Sequence, residues 1–302
     1  MLLCKTNRSV YIEQNSCRTS FSSDESWVIL SSEEHHIRNK INTYGVPLKE
    51  WDVKIYRGIL TGFNDAFIIS SKKKDELIAA DPKSAELIRP ILRGRDIKRY
   101  GYVDNGLFLI NTHNGIRNKL PRIDINDYPA VKRHLDQYWD RISTRADKGD
   151  TPYNLRNCAY LEDFSKPKVV YMEIQTDNPE EGYPFPCYSY DDNRCIVLNT
   201  AYIMSSETTD PRYVLGILNS RLGNFLVKLY VTQLQERQFR MLSQYVMNFP
   251  IAHPTKEQEN EMIHLVQDVL VHQSLASEKR IDNLAFQIYG LTEIEIKSLI
   301  SR

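Results

Sequence analysis

Apolar residues recur along this chain at two spacings, and the switch between them marks its elements. Trp51 to Tyr56 alternates in the manner of a half-buried strand, and Ala66 to Ile69 is a second apolar run. Between them, Gly58, Gly62 and Asn64 read as a tight turn. Further strands are predicted over Gly106 to Ile110, Lys168 to Met172 and Cys195 to Leu198. Helical spacing appears over about 31–43, and again from Pro129 to Ile142, where Val131, Leu135, Tyr138 and Trp139 share one side. Asp81 and Pro82 supply an N-cap and a first-turn proline, so a helix is predicted to about Leu92, with Gly94 ending it. Asp210 and Pro211 open another, which runs through Leu215, Leu218, Leu222 and Leu226 to about Tyr230. Thr255 with Gln258 forms a capping box before a long helix whose seam is Met262, Leu265, Val266, Val269 and Leu275. A helix from about Glu278 to Tyr289 and a short one capped by Thr292 with Glu295 complete the series. Strands and helices mix without regular alternation, which predicts an α+β fold: a mixed sheet with helices packed around it. The texture divides the chain into a polar connecting segment (1–45), a mixed region (46–252) and a helical C-terminal segment (253–302).

Charge sharpens this picture. The chain carries 39 basic and 39 acidic residues, with a pI of 7.0, which argues against a purely electrostatic polyanion binder. The balance is local, however. Residues 83–122 hold nine basic against three acidic side chains, whereas residues 255–302 hold five against eight. Five cations (Arg89, Arg93, Arg95, Lys98 and Arg99) crowd around Gly94. Guanidinium forks suit phosphate oxygens and guanine edges. Two readings fit: a phosphate-facing rim, or a surface turn whose arginines pair with nearby carboxylates. Polar loops after strands and helices are the other candidates for contact with a polyanion. They are Asn111 to Arg122 (with Asn114, Arg117, Asn118 and Lys119), Arg141 to Arg156 (with Arg145, Lys148, Tyr153 and Arg156), and Gln175 to Asn193. Thr61 and Asn64 could face the same ligand. Eighteen tyrosines suit both strand faces and a polar interface.

Catalytic and targeting signatures are sparse. No apolar run approaches the roughly 20 residues that cross a bilayer, and the N-terminus lacks the apolar core of a secretory signal. Cys4, Cys17, Cys158, Cys187 and Cys195 are scattered, as expected for reduced thiols of a cytoplasmic protein. Glycine-rich phosphate loops, nucleophile elbows and zincin motifs are absent from the sequence. The step Asn178-Pro179 continues with two glutamates and not with proline and an aromatic residue, the form in which amino-methyltransferases hold a target amine. Asp282 with Glu295 and Lys297 could mark a metal-dependent nuclease, against the alternative of exposed charges on a short helix. No protein metal site is expected, and no catalysis by the chain alone.

The order of motifs resembles the TaqI-like C-terminal specificity domain of adenine-specific DNA methyltransferases and of fused type IIG restriction-modification enzymes. The resemblance runs through Trp51 to Ile69, Asp81 to Ser84, Arg89 to Tyr100 and Thr151 to Cys158. It continues through Phe164 to Tyr171, Leu215 to Ser220, Asn248 to Ile251 and Ile281 to Glu293. It implies that 46–252 is a target-recognition domain for double-stranded DNA. Methyl transfer from S-adenosylmethionine, and Mg²⁺-dependent cleavage where present, would then reside in a methyltransferase or nuclease domain or subunit. In that family the methyltransferase core precedes the specificity domain, whereas Met1 stands just upstream of it here. The chain is therefore expected to be a split or truncated product or a stand-alone specificity subunit, with no membrane association. The resemblance places Arg93, Arg95, Lys98 and Arg99 either at the DNA or against the methyltransferase neighbour.

Overall fold

The computed structural model describes residues 30–178, 180, 184–235 and 237–300; Cys4, Cys17 and most of the N-terminal connecting segment lie outside these. The chain opens with α1 (Ser32–Tyr44), β1 (Gly45–Pro47), β2 (Val53–Arg57), α2 (Asn64–Phe67), β3 (Ile68–Ser70) and α3 (Ser71–Ala80). Then come β4 (Ile88–Leu92), β5 (Leu107–Ile110), α4 (Pro129–Asp136), α5 (Trp139–Thr144), β6 (Lys168–Met172), β7 (Ile174–Thr176) and β8 (Tyr188–Asp191). They are followed by β9 (Ile196–Val197), β10 (Ala201–Ser206), α6 (Pro211–Asn219), α7 (Arg221–Tyr230), β11 (Gln233–Gln235) and β12 (Gln238–Arg240). The chain closes with α8 (Ser243–Val246), β13 (Pro250–Ala252), α9 (Lys256–His272), α10 (Leu275–Ile288) and α11 (Glu293–Ile300). The arrangement is α+β, as the mixed pattern predicts.

A four-stranded antiparallel sheet in the order β2-β10-β6-β8 divides the interior. Successive side chains on a strand point to opposite faces. Val169, Tyr171, Tyr202 and Met204 therefore enter one core with α1, α6, α7, α9 and α10. Val170, Ala201 and Ile203 enter the other, which is built on the sheet β3-β5-β4-β9 with α3 and α4. Antiparallel sheets often leave one face to water, but this one is covered on both. The helical segment shares its core with earlier residues: Leu265, Val266 and Ile281 pack in one cluster with Ile37, Val53 and Leu215. β11, β12 and β7 form a small separate sheet, and β1 pairs with β13.

Several predicted elements take another form. The helix expected from Pro82 to Leu92 is a five-residue 3₁₀ turn followed by β4. Pro90 has no N–H and would clash inside a helix. In the strand it is harmless, because β4 changes partner there: Pro90 is the last residue paired with β5, and Ile91 the first paired with β9. Ala66 and Phe67 close the one-turn α2 and are not in a strand. The long helices expected at 129–142 and 211–230 are each broken. Ser220 ends α6 with extended backbone and caps α7 through its hydroxyl, which accepts from Gly223 N at 3.2 Å. Trp139 and Leu275, expected on apolar seams, are 43% and 73% exposed. α3 and β10 carried no recognised signal in the sequence. Among the described residues, no helix is long and apolar enough to cross a membrane.

Candidate nucleic-acid interface

The cation-rich stretch 89–100 divides into inward-facing and outward-facing groups. The Arg93 fork grips Asp96, with Nε to Oδ2 at 2.9 Å and Nη2 to Oδ1 at 2.8 Å. Asp96 is buried, and an unpaired buried carboxylate would be costly. Burial acts to raise its pKa, but the Arg93 side-chain and backbone donors outweigh that and hold it below the usual value. Arg99 reaches into the helical layer. Its Nε and Nη2 donate to Glu278 Oε2 at 3.0 and 2.9 Å, and its Nη1 donates to the carbonyl of Asn219. Arg93 and Arg99 thus depart from the expected rim: the fold uses their charge internally. Arg95 and Lys98 remain exposed, as does Arg89 on β4, while Gly94 N–H donates to Thr200 Oγ1 at 3.0 Å.

Two of the three polar loops predicted as contact sites, 111–122 and 141–156, bond to each other. Asn154 is buried and donates to the Ile123 carbonyl at 3.0 Å, while its Oδ1 accepts from Thr151 at 2.6 Å. Leu155 N–H reaches the Thr112 carbonyl at 2.9 Å. Asn114 pairs with Asp150 in both directions, accepting its N–H at 2.8 Å and donating to Oδ1 at 3.0 Å. Arg145 is the largest departure from expectation, since it is 7% exposed and cannot reach an external phosphate. Its guanidinium lies 4.2 Å over the Phe67 ring and donates to the carbonyls of Thr61, Pro152 (3.1 Å) and Asn154 (2.6 Å). Burial pulls its pKa down to about 10. It therefore clamps the second loop to the turn at 61–64. In that turn Gly62 sits at φ +71°, and Thr61 Oγ1 donates to Asn64 Oδ1 at 2.6 Å. Gly58 serves strand contact and not the turn, because a Cβ there would lie 2.2 Å from the Leu198 carbonyl oxygen.

The clamped loops leave their remaining cations outside. Arg117, Asn118, Lys119, Arg122, Lys148 and Arg156 are all exposed, with Asn118 at φ 61° on the tip. Lys119 pairs with Glu162, Arg122 with Asp150 at 3.6 Å, and Arg156 with Asp147 at 3.3 Å. Such exposed pairs are worth about 0–1 kcal/mol and exchange readily for phosphate. Tyr153 is half-buried: it donates to Asp136 Oδ1 at 2.6 Å and packs against Trp139.

One feature had no signal in the sequence. Glu173, buried between β6 and β7, holds two half-exposed arginines from distant segments: Arg57 at 2.6 Å and Arg240 at 3.0 Å. Arg57 also lines a cavity of about 260 Å³ with Arg156, Cys158, Tyr160 and Asn199, so this pair adjoins the loop cluster.

The residues of the alternative nuclease reading serve the fold. Glu295 accepts from Thr292 N–H at the start of α11 and binds Lys40 at 2.9 Å, and Asp282 accepts Arg221 N–H at 2.8 Å. Lys297 is exposed, and among the described residues no three His, Cys, Asp or Glu side chains gather as a metal site. Asn178 accepts from Arg237 at 3.2 Å.

Comparison with known proteins places the chain in a family. The TaqI-like C-terminal specificity domain matches residues 89–251, more than half of the chain. A type II methyltransferase of Aneurinibacillus aneurinilyticus, M.BanIII, is 22% identical over 89% of this chain and 47% of its own length. M.PaeR7I of Pseudomonas aeruginosa, also a type II methyltransferase, is 22% identical over 91% of this chain and 45% of its own. The chain thus spans less than half the length of these relatives. In fold it is similar to the type IIL restriction-modification enzyme MmeI, solved in complex with DNA, with a TM-score of 0.61 at 14% identity. That likeness covers 84% of this chain and 35% of MmeI. By the match over residues 89–251, this chain belongs to the family of TaqI-like C-terminal specificity domains.

Proposed function

We propose that this chain recognises a base sequence in duplex DNA for a restriction-modification system, without catalysing a reaction itself. The observation that carries the reading is the clamped loop pair, in which Arg145, Asn114 and Asn154 fix two loops. Five cations (Arg117, Lys119, Arg122, Lys148 and Arg156) point outward from them. A rigid mount matters because base edges are read only when hydrogen-bonding groups arrive pre-positioned. The cations would set register on the phosphates, and neighbouring amides such as Asn118 would then select bases. Exposed Arg95 and Lys98 would extend the contact. Methyl transfer to adenine would belong to a methyltransferase domain or subunit, which would flip the target base out of the stack. S-adenosylmethionine, and Mg²⁺ for cleavage, fit that partner better than this chain. Asn178 is already engaged by Arg237, and the carboxylates Asp282 and Glu295 are occupied by structural partners.

Mobility shifts on random-sequence and selected duplexes test the proposal. Affinity should fall with salt, with a log–log slope of up to about −4 if most of the five cations release counterions. Alanine at Lys119 or Arg156 should shallow the slope by roughly one each and weaken all sequences alike. Unaltered slopes in both variants would remove the loops from the interface, and no binding by the wild type would overturn the function.

A further inference from the structure

The small sheet β11-β12-β7 has an outer face that nothing in the loop reading uses. Cross-strand partners point to the same side. Gln238 pairs with Thr176 and, across a register irregularity between Gln233 and Gln235 of β11, with Gln235, which makes one row; Arg240 pairs with Ile174 in the next. The opposite face is the one that packs. Phe239 is buried against Phe185, and Gln175 is buried in hydrogen bonds to Cys187 at 3.0 and 2.8 Å. The outer face is open to solvent: Gln235 and Arg240 are exposed, and so is Ile174, at 48%. Neither outer glutamine amide finds a partner among the described residues.

We propose that this sheet face is a second sequence-reading surface, inserted in the major groove beside the clamped loops. The inference rests on the DNA-recognition reading above and deepens it. Its chemistry is that of base-edge recognition: a carboxamide can bond adenine N6 and N7 together, a guanidinium can bond guanine O6 and N7, and an apolar side chain can meet the thymine methyl. A β-ribbon fits the major groove, which is about 12 Å wide. Position supports the same assignment. Glu173 ties Arg240 to Arg57, and Arg57 lines the cavity that Arg156 of the second loop also lines. Arg57 therefore links the sheet, through Glu173, to the cavity beside the second loop. Because Glu173 already satisfies part of each fork, Arg57 is suited to phosphate, and Gln235 and Gln238 carry the discrimination.

Selection of the full chain on a randomised duplex pool, followed by binding to the selected duplex and single-base variants of it, is the test. The double variant Gln235→Ala/Gln238→Ala should lose discrimination on the order of tenfold at one or two positions, with the salt slope unchanged. Neither side chain bonds another described residue, so a melting curve matching the wild type is expected. Gln235→Glu, which keeps the length but cannot donate, should lose the same position. If both variants select the wild-type sequence with wild-type affinity, the sheet does not read bases, although the loop proposal stands. Uniform weakening with a shallower slope would make the face a backbone contact and also reject the inference. Failure of the wild type to bind any duplex would remove the function and the inference together.

Discussion

Lys168 has no solvent-exposed surface, yet it carries an ion pair. Its Nζ donates to Asp191 and to the Phe164 carbonyl at 2.6 Å, and Asp191 is equally buried. The remaining lone pairs of Asp191 accept from Tyr102 Oη at 2.9 Å and from Cys195 N–H at 3.1 Å. The group thus bonds β6, β8 and the turn leading into β9 through one pair of side chains. A buried pair contributes little net stability against apolar replacements, but breaking it leaves an uncompensated charge. Lys168→Met should therefore cost about 3–5 kcal/mol in urea unfolding. Adding Asp191→Asn should recover part of that loss, because the stranded charge is removed. A single-variant cost below about 1 kcal/mol, or a double variant as unstable as the sum of both singles, would refute the coupling. Arg145 follows the same logic without a carboxylate, since three carbonyls accept from its two terminal nitrogens. For that reason density of charge in the sequence could not reveal its role. Cations are visible in a sequence; the direction in which each one points depends on partners such as Asp96, Glu278 and the Thr61 carbonyl, which tertiary packing supplies.

Among the elements, α11 depends on one carboxylate. Glu295 accepts from Thr292 N–H at 2.6 Å, from Thr292 Oγ1 at 2.8 Å and from Lys40 at 2.9 Å, which joins the last helix to α1. Burial acts to raise its pKa, but these donors outweigh it and lower the value from 4.5 to about 2. A depressed folded value means that the stabilisation is fully present above the unfolded pKa and is lost as pH falls towards the folded one. Glu295→Gln should thus lower neutral-pH stability by about 1–2 kcal/mol. The gap to the wild type should close between pH 4.5 and 2. A gap that stays constant across that window would deny the carboxylate this role. The cap itself was legible, because Thr292 and Glu295 stand at the spacing of a capping box, as do Thr255 and Gln258 of α9. Signals that are local in this way survived into the structure: caps, alternation in β2, the apolar run of β6, and the helical seam in α9. Misread elements were those decided by distant partners. β4 became a strand because β5 and β9 offered ladders on its two halves, and α6 and α7 separated where Ser220 could cap the second helix. The candidate site followed the same rule. The loops were recognisable from composition, whereas Glu173 with its two arginines joins segments that only the folded chain brings together.

At the scale of the whole molecule, the two cores are chemically continuous through a shared sheet. Ile203 and Met204 are neighbours on β10, with 0% and 3% exposure, but each belongs to a different core. Loss of either core would uncover one face of β10 and β6 and expose Val169 and Tyr171, or Val170 and Ile203, to water. Burial of such side chains is worth roughly 1.5–3 kcal/mol each, so neither half can melt without taking the sheet with it. Arg99, which spans from the sheet side to Glu278 on α10, adds a polar link across the same boundary. The expected behaviour is one cooperative transition, even though a chain of 302 residues has the length for two domains. Ile203→Ala and Met204→Ala should each cost about 2–5 kcal/mol and move the same calorimetric peak. Two peaks, one displaced by each substitution, would mean that the cores unfold separately and that the clamped loops are not mechanically tied to the helical layer. A single peak moved by both would mean that the helices hold the loops in place from the far side of the sheet. A ligand bound on those helices alone should then also stabilise the loop-bearing half of the fold.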